Sequence, residues 1–191
     1  MTNFENYKLT GNVTVGQLQS WMADKSKSSK KHIVDLIAHR FENRYLKHIK
    51  LSQVDSGFLI IAVCCFVIET LQSFREGEKD TNRIGRRMFR NFFNNDKDLF
   101  PGFYDIADQF YEDIRCGILH QSETTNAWRI LRSGKLLDTT EFSINARLFV
   151  QALDKSVNKY VDELMASEFG TPIWNKAFLK LNDICENCKR A

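Results

Sequence analysis

The sequence predicts an all-α fold, a helical bundle carrying one small β-hairpin insertion. Three observations predict it. Apolar residues recur at spacings of three and four through most of the long segments. The 191 residues include fifteen phenylalanines and only two prolines, which favours a dense helical interior. No internal repeat and no alternation of strand and helix patterns is visible, so a parallel α/β sheet is not expected.

Taken in order, residues 1–28 read as a polar N-terminal extension with one short helix around "VGQLQSWM". The basic stretch 25–31, "KSKSSKK", reads as a solvated loop, with a nucleic-acid arm as the sharper alternative. Helical character is expected from residue 29, where the helical domain (29–191) begins. Ile33, Val34, Ile37, Phe41 and Tyr45 make one stripe there. Asp55 or Ser56 can cap a second helix, which Gly77 can close. The second helix starts with the apolar run 57–68, too short to span a bilayer, and is read as a core helix without a membrane role. A shorter helix over "RRMFRNFFNN" sets arginines on one side and Ile84, Met88 and Phe92 on another.

Pro101 suits the first turn of the next helix, whose stripe runs Phe103, Ala107, Phe110, Tyr111, Ile114 and Ile118 and ends near His120. "AWRILRSGKLLD" predicts a hairpin turning at Ser133-Gly134. Phe149, Leu153, Val157, Tyr160, Val161 and Leu164 mark a helix over about 145–165. Thr171-Pro172 opens the last helix.

The formal charge is only +3 and the pI about 8.6, so polyanion binding must come from local patches. Five cysteines and an N-terminus without an apolar core suggest free thiols and a cytoplasmic location. Cys185 and Cys188 have CxxC spacing but lack a second ligand pair, so no metal and no cofactor is expected. Trp21, Trp128 and Trp174 can stack on bases, but each sits among apolar neighbours that favour packing.

The chemistry concentrates in "YEDIRCGILHQSET", residues 111–124. Histidine titrates near neutrality and serves as general base or acid. Arginine stays charged and grips phosphate bidentately. Together they suit RNA cleavage by its own 2′-hydroxyl. On an ideal helix Arg115 and His120 point about 140° apart, so one regular helix does not join them. Either the helix ends before His120, or two copies meet across a twofold axis. Gly117 costs about 1 kcal/mol relative to alanine within a helix. Close approach of another backbone, as at a dimer interface, would account for it. Glu112 and Asp113 flank the pair, Cys116 lies between, and Glu69 follows the apolar helix as a partner for Arg115 or Arg75. Arg83, Arg86, Arg87 and Arg90 form either a solvated face or a strip that follows an RNA backbone.

"RCGILH" at a helix end resembles the Arg-x4–6-His motif of the HEPN (higher eukaryotes and prokaryotes nucleotide-binding) superfamily. The likeness extends over "RFENRYLKHI", "DSGFLIIAVCCFVIETLQSFREG" and the closing helices, about residues 30–188. The resemblance implies a bundle that pairs as a homodimer. It implies metal-independent RNA cleavage at a composite site made by Arg115 and His120. It also implies RNA as substrate, an antitoxin protein as a possible partner, and a setting in toxin–antitoxin or phage-defence biology. The position after the arginine, often Asn, His or Asp in active members, is Cys116 here. Inactive HEPN modules bind RNA, nucleotide or protein instead, and that alternative stands beside the first.

Overall fold

Thr14 begins the first helix by a reciprocal cap. Its hydroxyl accepts from the Gln17 N–H, and the Gln17 side chain accepts from the Thr14 N–H. This detail and those below come from a computed structural model that describes residues 4–51 and 55–190. The first three residues of the expected N-terminal extension and the last residue of the helical domain lie outside the described residues.

The fold is mainly α with two small sheets. The chain divides into two compact units. One comprises Met1–Arg44, Ser73–Asp80 and Asn158–Ala191; the other comprises Tyr45–Gln72 and Thr81–Val157.

In the first unit, β1 (Lys8–Thr10) pairs antiparallel with β2 (Val13–Thr14) around Gly11, whose positive φ suits the tight turn. α1 (Val15–Asp24) follows, then α2 (Lys27–Phe41). The β1–β2 hairpin has no strand signature in the sequence, and α2 starts two residues before the expected position. Most of the basic stretch is therefore the start of a helix rather than a loop. Ser26 caps it by accepting from the Ser29 N–H, and Asp24 accepts from the Ser29 hydroxyl. Lys30 is buried, donating to the Ser167 carbonyl at 2.8 Å and lying over Phe169. α9 (Pro172–Asn187) buries Trp174, Ala177, Leu181 and Cys185. The Trp174 indole donates to the carbonyls of Leu164 and Ser167.

Beyond Phe41 the helix widens into a π-helical segment, Glu42–Leu46, and ends as α3 (Lys47–Ile49). An i→i+5 turn inserts one residue into the helical phase. Leu46, five after Phe41, is buried, whereas the expected stripe residue Tyr45 is half-exposed.

The second unit is organised by phenylalanines. α4 (Gly57–Glu76) starts in it, with the Ser56 hydroxyl accepting from the Leu59 N–H. Gly77 closes α4 with φ 75° and a bond to the Ser73 carbonyl. By length and composition α4 could cross a membrane, and 56% of its most apolar window is buried inside the protein. α5 (Gly85–Asn95) buries Met88, Phe89, Phe92 and Phe93. Residues 101–106 are turns rather than the expected first turns of a helix; Gly102 has φ 80°, which a right-handed helix does not allow. The helix starts at α6 (Ala107–Gln109), widens into a second π-helical segment (Phe110–Cys116), and ends as α7 (Gly117–Gln121). Phe89, Phe92, Phe93, Phe100, Phe103, Phe110 and Phe149 are fully buried, with neighbouring ring centroids 5.0–6.5 Å apart. Phe149 belongs to α8 (Ala146–Ala166), whose start lies in this unit.

The expected hairpin is a three-stranded sheet of different order. β3 (Arg129–Leu131) and β4 (Leu137–Asp138) do not pair with each other. β5 (Ser143–Asn145) lies between them, parallel to β3 and antiparallel to β4. All three residues of β5 are buried, which sets it at the sheet centre. Asn145 fixes the turn, donating from its side chain to the Gly134 carbonyl and from its backbone to the Leu136 carbonyl.

Candidate active site around Arg115

Arg115 sits near the end of the second π-helical segment and is held from α4. Its Nε donates to Glu69 Oε1 at 2.9 Å. The other oxygen of Glu69 accepts from the Thr81 hydroxyl at 2.7 Å. The arginine and glutamate side chains are 19% and 12% exposed. Burial works against the arginine's charge, but the Glu69 carboxylate outweighs it and the guanidinium pKa is raised. Arg115 therefore stays cationic throughout the physiological range. Nη1 points toward the Cys116 thiol at 3.9 Å, and no partner for Nη2 is found among the described residues.

The π register explains the neighbourhood. Residues five apart stack in an i→i+5 helix. Tyr111 and Cys116 are such a pair, and their side chains lie close enough to interact electrostatically. Burial first, then the neighbouring thiol, raises the Tyr111 pKa. Arg115 lies over the Tyr111 ring, its guanidinium carbon 5.4 Å from the centroid. Cys65, buried in α4, is also close enough to feel Glu69, Arg115 and Cys116; burial pushes its thiol far up, so it is neutral at physiological pH.

His120, in the last turn of α7, is exposed and makes no hydrogen bond or ion pair among the described residues. Arg115 and His120 are thus not bonded to each other within one copy.

The flanking acids have other work. Glu112 pairs with Arg86, not Arg115. Asp113 ties down the loop after α7: its carboxylate accepts from the Thr125 hydroxyl and the Asn126 amide, both at 2.8 Å, and its carbonyl accepts from the Thr125 N–H. That returning loop accounts for Gly117. A Cβ there would lie 2.6 Å from the Glu123 carbonyl oxygen, so the close backbone belongs to the same chain, not to a second copy. Gly117→Ala is expected to lower stability by about 1–3 kcal/mol, because a backbone oxygen cannot move aside as a side chain would. Urea unfolding checks it, and an unchanged midpoint would contradict the close approach.

Of the expected RNA-contacting arginines, Arg86 and Arg90 are exposed but ion-paired, Arg90 with Asp108. Arg83 is exposed ahead of α5 with φ 64°, and Arg87 is exposed on α5 with a partner of its own. No group of three or more His, Cys, Asp or Glu suited to a metal occurs among the described residues. Burial pushes the Cys185 thiol up to about 11. Trp128 and Trp174 are buried and offer no face to a base, while Trp21 lies against His32. The sequence does not single out Thr81; a polar side chain in a connector carries no spacing signal.

Comparison of the chain with protein-family models, with curated proteins and with solved structures yields no match.

Proposed function

We propose that this protein is a metal-independent endoribonuclease of HEPN type, acting on RNA in the cytoplasm in a toxin–antitoxin or phage-defence setting. One observation carries the reading. A guanidinium is fixed by Glu69, itself held by the Thr81 hydroxyl, with one amine unpartnered among the described residues, and an exposed, unpartnered imidazole follows five residues later. A structural Arg–His pair would satisfy both groups internally. Here the residual hydrogen-bonding capacity of each is open to a ligand.

In this reading, His120 acts as general base on the ribose 2′-hydroxyl, or as general acid on the leaving 5′-oxygen. The 2′-oxygen attacks the adjacent phosphorus and forms a new P–O bond. The 5′-oxygen leaves and takes up a proton, giving a 2′,3′-cyclic phosphate and a 5′-hydroxyl. Arg115 neutralises the charge that builds on the phosphoryl oxygens. Glu69 keeps the guanidinium in place as a positioning residue. Arg115 and His120 do not bond within one copy, and in this reading the complete site combines Arg115 of one protomer with His120 of a second.

Mixing variants tests this composite arrangement. Arg115→Ala and His120→Ala are each expected to lose cleavage. Mixed and allowed to exchange subunits, they should regain up to about a quarter of wild-type activity, because half the dimers are hybrids with one intact site. No recovery, with hybrid dimers present by mass, would rule out the shared site.

A silent RNA-, nucleotide- or protein-binding module is the second reading. Cys116 favours it, since its thiol accepts from Arg115 where active HEPN members often carry Asn, His or Asp. RNA binding without cleavage would select it.

A further inference from the structure

Tyr111 links the Arg115 site to a second arginine. The guanidinium carbon of Arg86 lies 5.9 Å from the Tyr111 ring centroid, and that of Arg115 lies 5.4 Å from the same centroid. Both distances fall within the range at which a cation is attracted to an aromatic ring. Gly85 makes room for the ring: a Cβ there would stand 2.7 Å from the tyrosine hydroxyl and 2.8 Å from Cε2. The ring is also packed against Phe89 at 5.7 Å, and Cys116 is near enough to influence its hydroxyl electrostatically. The ring's place is therefore set from three sides.

The two arginines are held differently. The pair of Arg115 with Glu69 is largely buried. The pair of Arg86 with Glu112 is 49% and 54% exposed. Exposed pairs are weak and screened by salt, so an incoming anion can replace the carboxylate. A phosphate diester offers Arg86 the acceptor geometry that Glu112 offers it. Arg90 is likewise in an exposed pair, with Asp108; what sets Arg86 apart is its place against the Tyr111 ring.

Resting on the ribonuclease reading, we infer that the RNA strand is gripped at two neighbouring phosphates, one by Arg115 and one by Arg86, with Tyr111 as the positioning residue between them. Arg115 supplies the fixed grip. Arg86 exchanges Glu112 for phosphate when the strand arrives.

The test is binding of a ten-nucleotide 2′-O-methyl RNA, which has no free 2′-hydroxyl and cannot be cleaved this way. Fluorescence anisotropy over a range of salt gives the slope of log K against log salt. On a single strand, each phosphate that the protein neutralises adds about 0.7 to the steepness of that slope. Arg86→Gln is expected to make it shallower by about 0.7, and Arg129→Gln, at an exposed pair with Glu141 away from Tyr111, to leave it unchanged. Tyr111→Leu should have the same effect as Arg86→Gln, and the double variant no more, since both act on the same phosphate. An equal slope in wild type and Arg86→Gln, an equal change in Arg129→Gln, or no binding by wild type would overturn the inference. Cleavage is scored separately. A wild type that cleaves, with a slope indifferent to Arg86, overturns this inference alone. A wild type that never cleaves, yet shows the Arg86-dependent slope, overturns the ribonuclease reading alone.

Discussion

His120→Ala should lower the rate of RNA cleavage by about 10²- to 10⁴-fold, the usual contribution of a positioned general acid or base. It should do so without unfolding the protein. The side chain is exposed and has no partner among the described residues, so its removal costs within about 0.5 kcal/mol. That separation makes it a cleaner variant than Arg115→Ala, which would leave the largely buried Glu69 carboxylate without its cation and destabilise the fold as well. Rates measured beside thermal melts check the claim. Equal rates in wild type and variant would remove His120 from the chemistry.

Phe110→Ala should cost about 3–5 kcal/mol of stability. The ring is fully buried at the first position of the π-helical segment that carries Arg115. It stacks on Phe149 at 5.5 Å and meets Phe93 at 5.1 Å, Phe89 at 5.6 Å and Phe103 at 6.0 Å. Removing it opens a cavity bounded by rings from α5, the 96–106 connection and α8, and rigid aromatic walls collapse poorly into such a space. Denaturant unfolding gives the value. A drop below about 1 kcal/mol would mean that the cluster repacks freely, against the close packing described above.

The long amphipathic helices are legible because burial needs a stripe, and a stripe survives in the sequence. Phe149, Leu153 and Leu164 fall on α8, and Met88 and Phe92 on α5, as their spacing predicts. The π-helical segments are not legible in that way. A spacing of four, as between Phe110 and Ile114, fits either winding. The one available sign is the gap of five from Phe41 to Leu46, which the regular stripe through Tyr45 conceals. The order β3-β5-β4 is also hidden, since "FSIN" is short and its pairing with residues 129–131 depends on a return of the chain that local turn signals do not encode.

At the candidate site, the sequence offers Glu69 as a partner for Arg115 or Arg75. The choice between the two depends on how α4 meets the π-helical segment, a tertiary matter that spacing does not fix. The structure joins Glu69 to Arg115. Glu112 at i−3 suits Arg115 on a regular helix, but the altered winding and the proximity of α5 give it to Arg86. Gly117 in a helix suggests approach of a second copy, and the loop at residues 123–125 fills that space instead.

The most direct measurement is cleavage of 5′-labelled RNA by the wild-type protein in excess EDTA, with analysis of the product ends. The account predicts cleavage that survives the chelator and leaves 2′,3′-cyclic phosphate and 5′-hydroxyl termini, lost in both Arg115→Ala and His120→Ala. Products ending in 3′-hydroxyl, cleavage that vanishes with the chelator, or cleavage by the two variants equal to that of wild type would contradict it.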